Sequence, residues 1–137
     1  MNSQIPENTV SYQYSFKVEK KDIDELNHVN NVVYLQWVNH ISEKHWNLLA
    51  DKEIRQKYLW VVLRHELDYL NQAFLGDEIT MITWVGESVG VKSVRNVHIY
   101  KDKTLLLKAR STWCLLDQKS LRPTRIKEDI LSLLRPK

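Results

Sequence analysis

A short stretch near the start of the chain, residues 24–34, combines carboxylate, imidazole and amide side chains just where an apolar pattern of helical period begins. Backbone N–H groups at the start of a helix have no partner within the helix and favour negative charge. A carboxylate in the loop before them could attack an ester-like carbonyl, or direct water at it, while those amides hold the carbonyl oxygen. The residue types and their spacing therefore predict acyl-transfer chemistry.

The same stretch carries a family resemblance. The run DELNHVNN over residues 24–31, followed by Tyr34 and Trp37, resembles the signature of hotdog-fold acyl thioesterases. It is similar both to the 4-hydroxybenzoyl-CoA thioesterase group and to the acyl-carrier-protein thioesterases, and the similarity extends over residues 10–130. The chain departs from the plant-type carrier-protein enzymes at Leu26, where those enzymes have an Asn.

The resemblance implies that Asp24 supplies the catalytic carboxylate. An ionised carboxylate either attacks the thioester carbonyl directly or takes a proton from water, and the sequence is compatible with both routes. His28 follows four residues later. It is a candidate proton shuttle or a donor to the substrate carbonyl, and the alternative is a histidine that binds loop carbonyls.

Neighbouring residues are candidates for binding the substrate. The side chains of Asn27, Asn30 and Asn31 could orient water or anchor the loop, and Asn27 or Asn30 could cap the helix. We expect the peptide N–H groups near Asn30 and Asn31, rather than the side chains, to hold the oxyanion. Tyr34 lies on the predicted helix, where it and Trp37 would either line an acyl tunnel or pack in the core.

Basic residues in the second half of the chain form a third element. The resemblance implies that Lys92 and Ser93, with a basic residue on a later segment, approach the phosphates of coenzyme A. Arg122 and Arg125 are the candidates on that later segment. Both Arg and Lys suit phosphate by charge, and Arg adds a forked pair of donors. The alternative is a solvated basic surface over residues 119–127.

Several other chemistries lack their residues in this sequence. His65 and Glu66 are not followed by the second His of a zinc-protease helix, and the three glycines form no phosphate loop or dinucleotide fingerprint. No Ser stands in a Gly-x-Ser-x-Gly elbow, and the single Cys114 lies in an apolar run that is typical of buried cysteine. We expect no metal and no redox cofactor, with coenzyme A entering only as part of the substrate.

The composition indicates one ordinary globular domain. A chain of 137 residues fits a single domain, residues 1–137. Its net charge of +3 does not by itself predict a nucleic-acid partner, although it suits a ligand that carries phosphates. No run approaches the ~20 apolar residues of a membrane span. The polar start, residues 1–8, lacks a signal-peptide core, so the cytoplasm is the expected location.

The period of the apolar pattern predicts the elements that position these residues. Alternation of apolar and polar residues is typical of half-buried strands. It occurs in five runs, residues 10–19, 58–70, 77–87, 91–101 and 104–116.

A period near four predicts one long helix over residues 29–50. Its apolar stripe comprises Val29, Val33, Trp37, Ile41 and Leu48. Residues 51–57 have the composition of a charged connector, and a short helix over residues 127–134 is expected to close the chain.

This order of elements predicts the fold. Four late strands joined by short turns favour an antiparallel meander, to which the first strand is added. The long helix can hide its apolar surface only by lying across one face of a curved sheet. The prediction is an α+β hotdog fold, a curved antiparallel five-stranded sheet wrapped around one long central helix. The sheet edges would be removed by pairing of two subunits, and the resemblance implies homodimers or tetramers with active sites at the subunit boundary.

The functional prediction is a thioester hydrolase that acts on acyl-CoA or an acyl-carrier-protein thioester, in fatty acid metabolism or a related pathway. One alternative keeps the fold but is a hydratase or dehydratase that acts on acyl thioesters. A second alternative is a non-catalytic module that binds acyl chains, a carrier protein or RNA through the basic residues 119–127. The acyl group, the choice between coenzyme A and carrier protein, and the choice between dimer and tetramer stay open at this point.

Overall fold

The structure, a computed structural model, describes residues 5–137. The polar N-terminal stretch therefore lies partly outside the described residues. The elements are, in chain order, β1 Ser11–Lys17, α1 Asn31–Leu49, α2 Lys52–Lys57, β2 Tyr58–Tyr69, β3 Glu78–Val89, β4 Lys92–Lys101, β5 Thr104–Asp117 and α3 Glu128–Leu134. Each predicted strand and helix is present, within two residues of its predicted bounds. Across residues 5–137, no helix is long and apolar enough to cross a membrane.

The five strands form one antiparallel sheet in the order β1-β3-β4-β5-β2. Strands β3, β4 and β5 form the predicted meander. Strand β2 pairs with β5 rather than with β3, so the prediction of a four-stranded meander is wrong at β2. The alternation of a strand determines which face each residue occupies but not which strand lies beside it. Residues 70–77 carry the chain from this outer position to the start of β3.

The long helix α1 lies across the concave face of the sheet. It begins after Asn30, whose Oδ1 accepts a hydrogen bond from the N–H of Val32 at 2.9 Å. Most of the predicted stripe packs inward, since Val29 and Ile41 are buried and Val33 and Trp37 pack against the core, but Leu48 is 66% exposed. Apolar residues occur on more than one side of α1, so contacts with the sheet decide which side is covered. The buried positions are Tyr34, Val38, Ile41, Ser42 and His45.

Residues 51–57 are not a plain connector, and that prediction is wrong. The Asp51 carboxylate accepts a hydrogen bond from the N–H of Ile54 at 2.9 Å and caps α2. A helix of six residues, less than two turns, is too short to show an apolar period, and the capping Asp is the local signal that marks it.

Two apolar clusters hold the layers together. The larger one lies between α1 and the middle of the sheet, and includes Val38, Ile41, Met81, Ile99 and Leu107. The smaller one joins α3 to the sheet through Val85, Leu115, Ile126, Ile130 and Leu134. Both clusters lie on the concave side of the sheet. Most residues of the edge strand β2 remain exposed.

Different segments of the chain cover the two ends of the sheet. At the first, here called the Asp24 end, the loop before α1 packs on residues 70–77 through the hydrogen bond from the Val29 N–H to the Ala73 carbonyl, 3.0 Å long. At the second, here called the Lys92 end, β4 begins and the segment after β5 runs alongside, with the Ile126 N–H donating to the Gly90 carbonyl at 2.8 Å. The ten residues of β4 separate the two ends by about 30 Å.

Candidate active site

Asp24 lies in a tight turn between β1 and α1. The Asp24 N–H donates to the His28 carbonyl at 2.8 Å, and Asn27 closes the turn in the left-handed region with φ 63°. The carboxylate Oδ1 accepts hydrogen bonds from the N–H groups of Leu26, at 2.9 Å, and His28, at 3.2 Å. Oδ2 has no hydrogen-bond partner among residues 5–137. One carboxylate oxygen is thus held in place while the other is available for chemistry.

Most peptide N–H groups at the start of α1 are already bonded. The N–H of Asn30 donates to the Asp22 carbonyl at 3.0 Å, and the N–H of Val33 donates to the Asn30 carbonyl at 2.9 Å. Within residues 5–137 the N–H of Asn31 has no such partner. Of the two peptide groups expected to hold an oxyanion, only that of Asn31 is therefore available, and the Asn30 side chain is the helix cap. The side chains of Asn27 and Asn31 are exposed.

His28 shares this loop but is fixed by a different contact. Its ring packs edge-on against Phe74, with ring centroids 5.4 Å apart, and residues 28 and 74 also form an isolated antiparallel bridge. Phe74 is thus a neighbour of the candidate site that the sequence did not indicate. The proton-shuttle role of His28 stays a prediction.

Tyr34 is buried under residues 70–77 and its contacts favour the core interpretation. Its hydroxyl oxygen accepts a hydrogen bond from the Ala73 N–H at 3.0 Å, and its ring meets those of Trp37 and Tyr69 edge-on. Burial raises the pKa of the Tyr34 phenol, because a phenolate would be poorly solvated there. Tyr34 therefore ties the segment after β2 to α1 at the Asp24 end.

We expect Tyr34→Phe to lower the free energy of unfolding by about 1–3 kcal/mol, because the buried Ala73 N–H would lose its acceptor. Chemical denaturation monitored by circular dichroism measures this change. Tyr69→Phe is the matched control, since the Tyr69 hydroxyl donates to the Asn31 carbonyl from an exposed position. A loss as small in Tyr34→Phe as in Tyr69→Phe would contradict the assigned role.

The basic candidates lie at the opposite end of the protomer from Asp24. Lys92, Arg122 and Arg125 are exposed at the Lys92 end. Ser93 is buried, and its hydroxyl lies 2.8 Å from that of Ser88. A single protomer therefore does not bring the predicted catalytic carboxylate and the predicted phosphate contacts together.

A cavity of about 230 Å³ lies at the Lys92 end between the second half of α1, the sheet and α3. We call it the tryptophan cavity, because Trp46, Trp60 and Trp113 line it together with Ser93 and Arg95. Asp24 does not line it within one protomer, nor does Asp24 line a second hollow beside the start of α1. A ligand in the tryptophan cavity can meet Asp24 only if that residue comes from a second subunit.

Arg95 is a buried cation inside this cavity wall. Its side chain is 8% exposed, and its Nη1 donates to His45 Nδ1 at 2.8 Å and to Thr83 Oγ1 at 3.1 Å. Burial lowers the pKa of Arg95 to about 10, which leaves it charged at neutral pH. Because guanidinium only donates, Nδ1 of His45 must carry the lone pair. Burial, and then the charge of Arg95, lower the pKa of His45 to about 4.

This geometry predicts a loss of stability in mild acid. The His45 pKa is about 4 in the fold, against 6.5 for an unperturbed histidine. The part of the free energy of unfolding that neutral His45 contributes is therefore fully present above pH 6.5 and is lost as the pH falls towards 4. The difference corresponds to about 3 kcal/mol. His45→Gln should flatten the decline in melting temperature between pH 7 and pH 4.5. His40→Gln, at an exposed position on the same helix, should retain it. An unchanged decline in His45→Gln would contradict the assignment.

Arg95 belongs to a polar strip across an otherwise apolar concave face. It bonds to Thr83 on β3, stands opposite Ser111 on β5, and Ser111 Oγ lies 2.6 Å from Nδ1 of His65 on β2. Arg95 was not among the site residues predicted from the sequence. The available signal was its alternation with inward residues of β4, since Ser93 and Val97 share its face.

Comparison with known proteins establishes the family. The family model of the thioesterase-like superfamily matches residues 18–134, most of the chain. The chain belongs to the thioesterase-like superfamily. Membership of this superfamily, together with the helix lying on a five-stranded sheet, confirms the predicted hotdog thioesterase fold. It also supports thioester hydrolysis as the general class of reaction.

Individual relatives of this thioesterase-like chain are distant. It is 24% identical over 135 residues to the chloroplastic acyl-[acyl-carrier-protein] hydrolase FATB3 of Cuphea viscosissima, a match over 88% of this chain and 32% of that protein. The chain thus spans about a third of the length of that relative.

Solved structures share the fold. YbaW, a probable thioesterase from Escherichia coli, superposes with a TM-score of 0.79 at 19% identity, over 88% of this chain and 94% of that one. Slr0204, a 1,4-dihydroxy-2-naphthoyl-CoA thioesterase from Synechocystis, superposes with a TM-score of 0.78 at 13% identity, over 90% and 95%.

Proposed function

We propose that this protein hydrolyses an acyl-CoA or acyl-carrier-protein thioester to a free acid and a thiol, with Asp24 as the catalytic carboxylate. The observation that carries the proposal is the turn at residues 24–28. It holds one oxygen of Asp24 with two peptide N–H groups and leaves the other oxygen without a protein partner among residues 5–137. The N–H of Asn31, which has no hydrogen-bond partner in the described part of the chain, follows at the helix start. A nucleophile or base thus lies in the same short segment as a donor for the oxyanion.

The chemical step follows from these two groups. Asp24 takes a proton from water as the water attacks the thioester carbonyl, or its free oxygen attacks the carbonyl itself. The N–H of Asn31, favoured by the positive end of α1, holds the negative oxygen that develops. Collapse of this intermediate breaks the C–S bond, and in the first route Asp24 returns its proton to the leaving thiolate. In the second route collapse leaves a mixed anhydride between the acyl group and Asp24, which water hydrolyses to the free acid and the carboxylate, and a proton of that water goes to the thiolate. Water supplies the oxygen of the acid in both routes.

The site requires a second copy of the chain. In one protomer, Asp24 and the tryptophan cavity lie at opposite ends of the sheet. Strand β2 is an edge strand that exposes an apolar row, and two copies that pair antiparallel along it would form one continuous sheet. The exposed apolar residues of this edge are Leu59, Val61, Val62, Leu63 and Tyr69 of β2, with Leu70 directly after it.

Such pairing brings opposite ends together. A two-fold axis through the middle of β2 places the Tyr58 end of one copy beside the Tyr69 end of the other. Within each protomer, Tyr58 lines the tryptophan cavity, and the Tyr69 hydroxyl donates to the carbonyl of Asn31 beside the Asp24 loop. The pairing therefore places the cavity of one copy next to the Asp24 loop of the other. The acyl group would lie in the cavity of one copy, and its thioester would reach the Asp24 loop of the other. Lys92, Arg122 and Arg125 would then be available to the phosphates of coenzyme A.

A thiol-release assay tests the proposal. Purified protein is incubated with acyl-CoA esters of graded length and with the same acyl groups on a carrier protein, and free thiol is measured with a thiol-reactive dye. We expect saturable thiol release from at least one thioester. Loss of enoyl absorbance without release of thiol would identify a hydratase and overturn the proposal. Binding without turnover would indicate a non-catalytic module.

A further inference from the structure

Arg95 has more hydrogen-bond donors than the protein uses. A guanidinium carries five N–H donors, and both bonds of Arg95 come from Nη1. Neither Nε nor Nη2 of Arg95 donates a hydrogen bond to any of the described residues. No carboxylate of residues 5–137 lies within 4 Å of this side chain. A buried cation without an anion costs several kcal/mol, so its presence in a cavity wall points to an anion supplied by a ligand.

A second buried donor lines the same cavity. The indole Nε1 of Trp113 is buried and has no hydrogen-bond partner within the described part of the chain. Trp113 and Arg95 stand on adjacent strands at inward positions two residues apart in register, because Ser93 faces Trp113 and Arg95 faces Ser111. Both side chains therefore lie on the concave side at the tryptophan cavity, where Arg95 has unused donors and the Trp113 Nε1 is covered by neighbouring atoms.

The other residues that line the cavity restrict the size and the polarity of the rest of the ligand. The rings of Trp46 and Trp60 pack edge-on with centroids 5.6 Å apart, and Leu134 adds an aliphatic surface. The cavity volume of about 230 Å³ lies below the ~300–1,000 Å³ of ordinary small-molecule pockets, so it suits a short acyl group. Glu43 and Arg55 also line the cavity, both at exposed positions. Its buried part therefore fits a short apolar body that ends in an anion, rather than a long aliphatic chain.

We propose that the tryptophan cavity recognises an acyl group whose far end carries a carboxylate, with Arg95 as the residue that determines this specificity. The inference rests on the proposed thioester hydrolysis, which places the reacting carbonyl at the mouth of the cavity. Arg95 binds the carboxylate through Nε and Nη2 as a forked pair. His45 and Thr83 hold Nη1 and so orient that pair.

A matched pair of substrates tests the specificity. Adipoyl-CoA and hexanoyl-CoA have the same carbon count and differ in a terminal carboxylate against a methyl group. We expect the wild type to show kcat/KM about tenfold or more higher for adipoyl-CoA, the factor that one hydrogen bond to a charged group ordinarily gives. In Arg95→Met this ratio should fall to one or below, and in Arg95→Lys it should be intermediate. Arg110→Met, at an exposed position on β5, should keep the wild-type ratio.

A binding measurement separates this inference from the proposed function. Adipate and hexanoate are titrated into the wild type and Arg95→Met, with quenching of tryptophan fluorescence as the readout, which needs no turnover. We expect adipate to bind the wild type at least about tenfold more tightly than hexanoate, and Arg95→Met to lose this preference. If no thioester is hydrolysed, the proposed function fails while the titration still decides the role of Arg95. If both esters are hydrolysed equally and adipate shows no preference, the inference is overturned and the hydrolase stands.

Discussion

Asp24→Asn should lower kcat for thioester hydrolysis by about 10²–10⁴-fold. The amide has the shape of the carboxylate, and its Oδ1 can still accept the hydrogen bonds from Leu26 and His28 that form the turn. It can neither take a proton from water nor attack a carbonyl. The loss should therefore appear in turnover, measured as thiol release under saturating substrate, with an unchanged melting temperature.

Glu25→Gln is the control for this experiment. Glu25 is the adjacent carboxylate and is exposed, and it has no hydrogen bond to the turn at residues 24–28. Its substitution removes the same charge from the same loop, so a general electrostatic effect would lower both rates alike. Full activity in Asp24→Asn, or equal losses in the two variants, would contradict the assignment of Asp24.

Leu63→Glu should convert the assembly into monomers and remove most of the activity. Leu63 lies at the middle of β2 and is 53% exposed, so the substitution does little to the isolated protomer. In the proposed pairing, the two-fold axis passes near this position and two carboxylates would face each other. Like charges in an interface cost several kcal/mol, which corresponds to about 10²–10³-fold in the dissociation constant of the dimer. Sedimentation velocity and thiol release, measured at the same protein concentrations, check this result.

Val89→Glu is the matched control for that variant. Val89 is another exposed apolar residue, at the β3–β4 turn away from β2. The control protein should keep the mass of the wild-type assembly. A fully active Leu63→Glu monomer would contradict a site shared between two copies, because one protomer keeps Asp24 and the tryptophan cavity apart.

Local features of this protein were predictable from its sequence. Strand and helix bounds follow from side-chain period, which a few consecutive residues express. The helix cap at Asn30 was one of two predicted candidates, and its hydrogen bond joins residues only two apart. The resemblance carried by residues 24–34 indicated Asp24 as the catalytic carboxylate, and that role stays a prediction.

The sequence by itself therefore determined the elements, the family resemblance and the candidate carboxylate. The tertiary structure alone decided that β2 lies beside β5, that Leu48 is exposed and that Arg95 is buried in a cavity wall. It also placed Asp24 and the basic candidates at opposite ends of one protomer. These features depend on contacts between residues far apart in the chain, and alternation along a strand specifies a face but neither the neighbouring strand nor what covers that face.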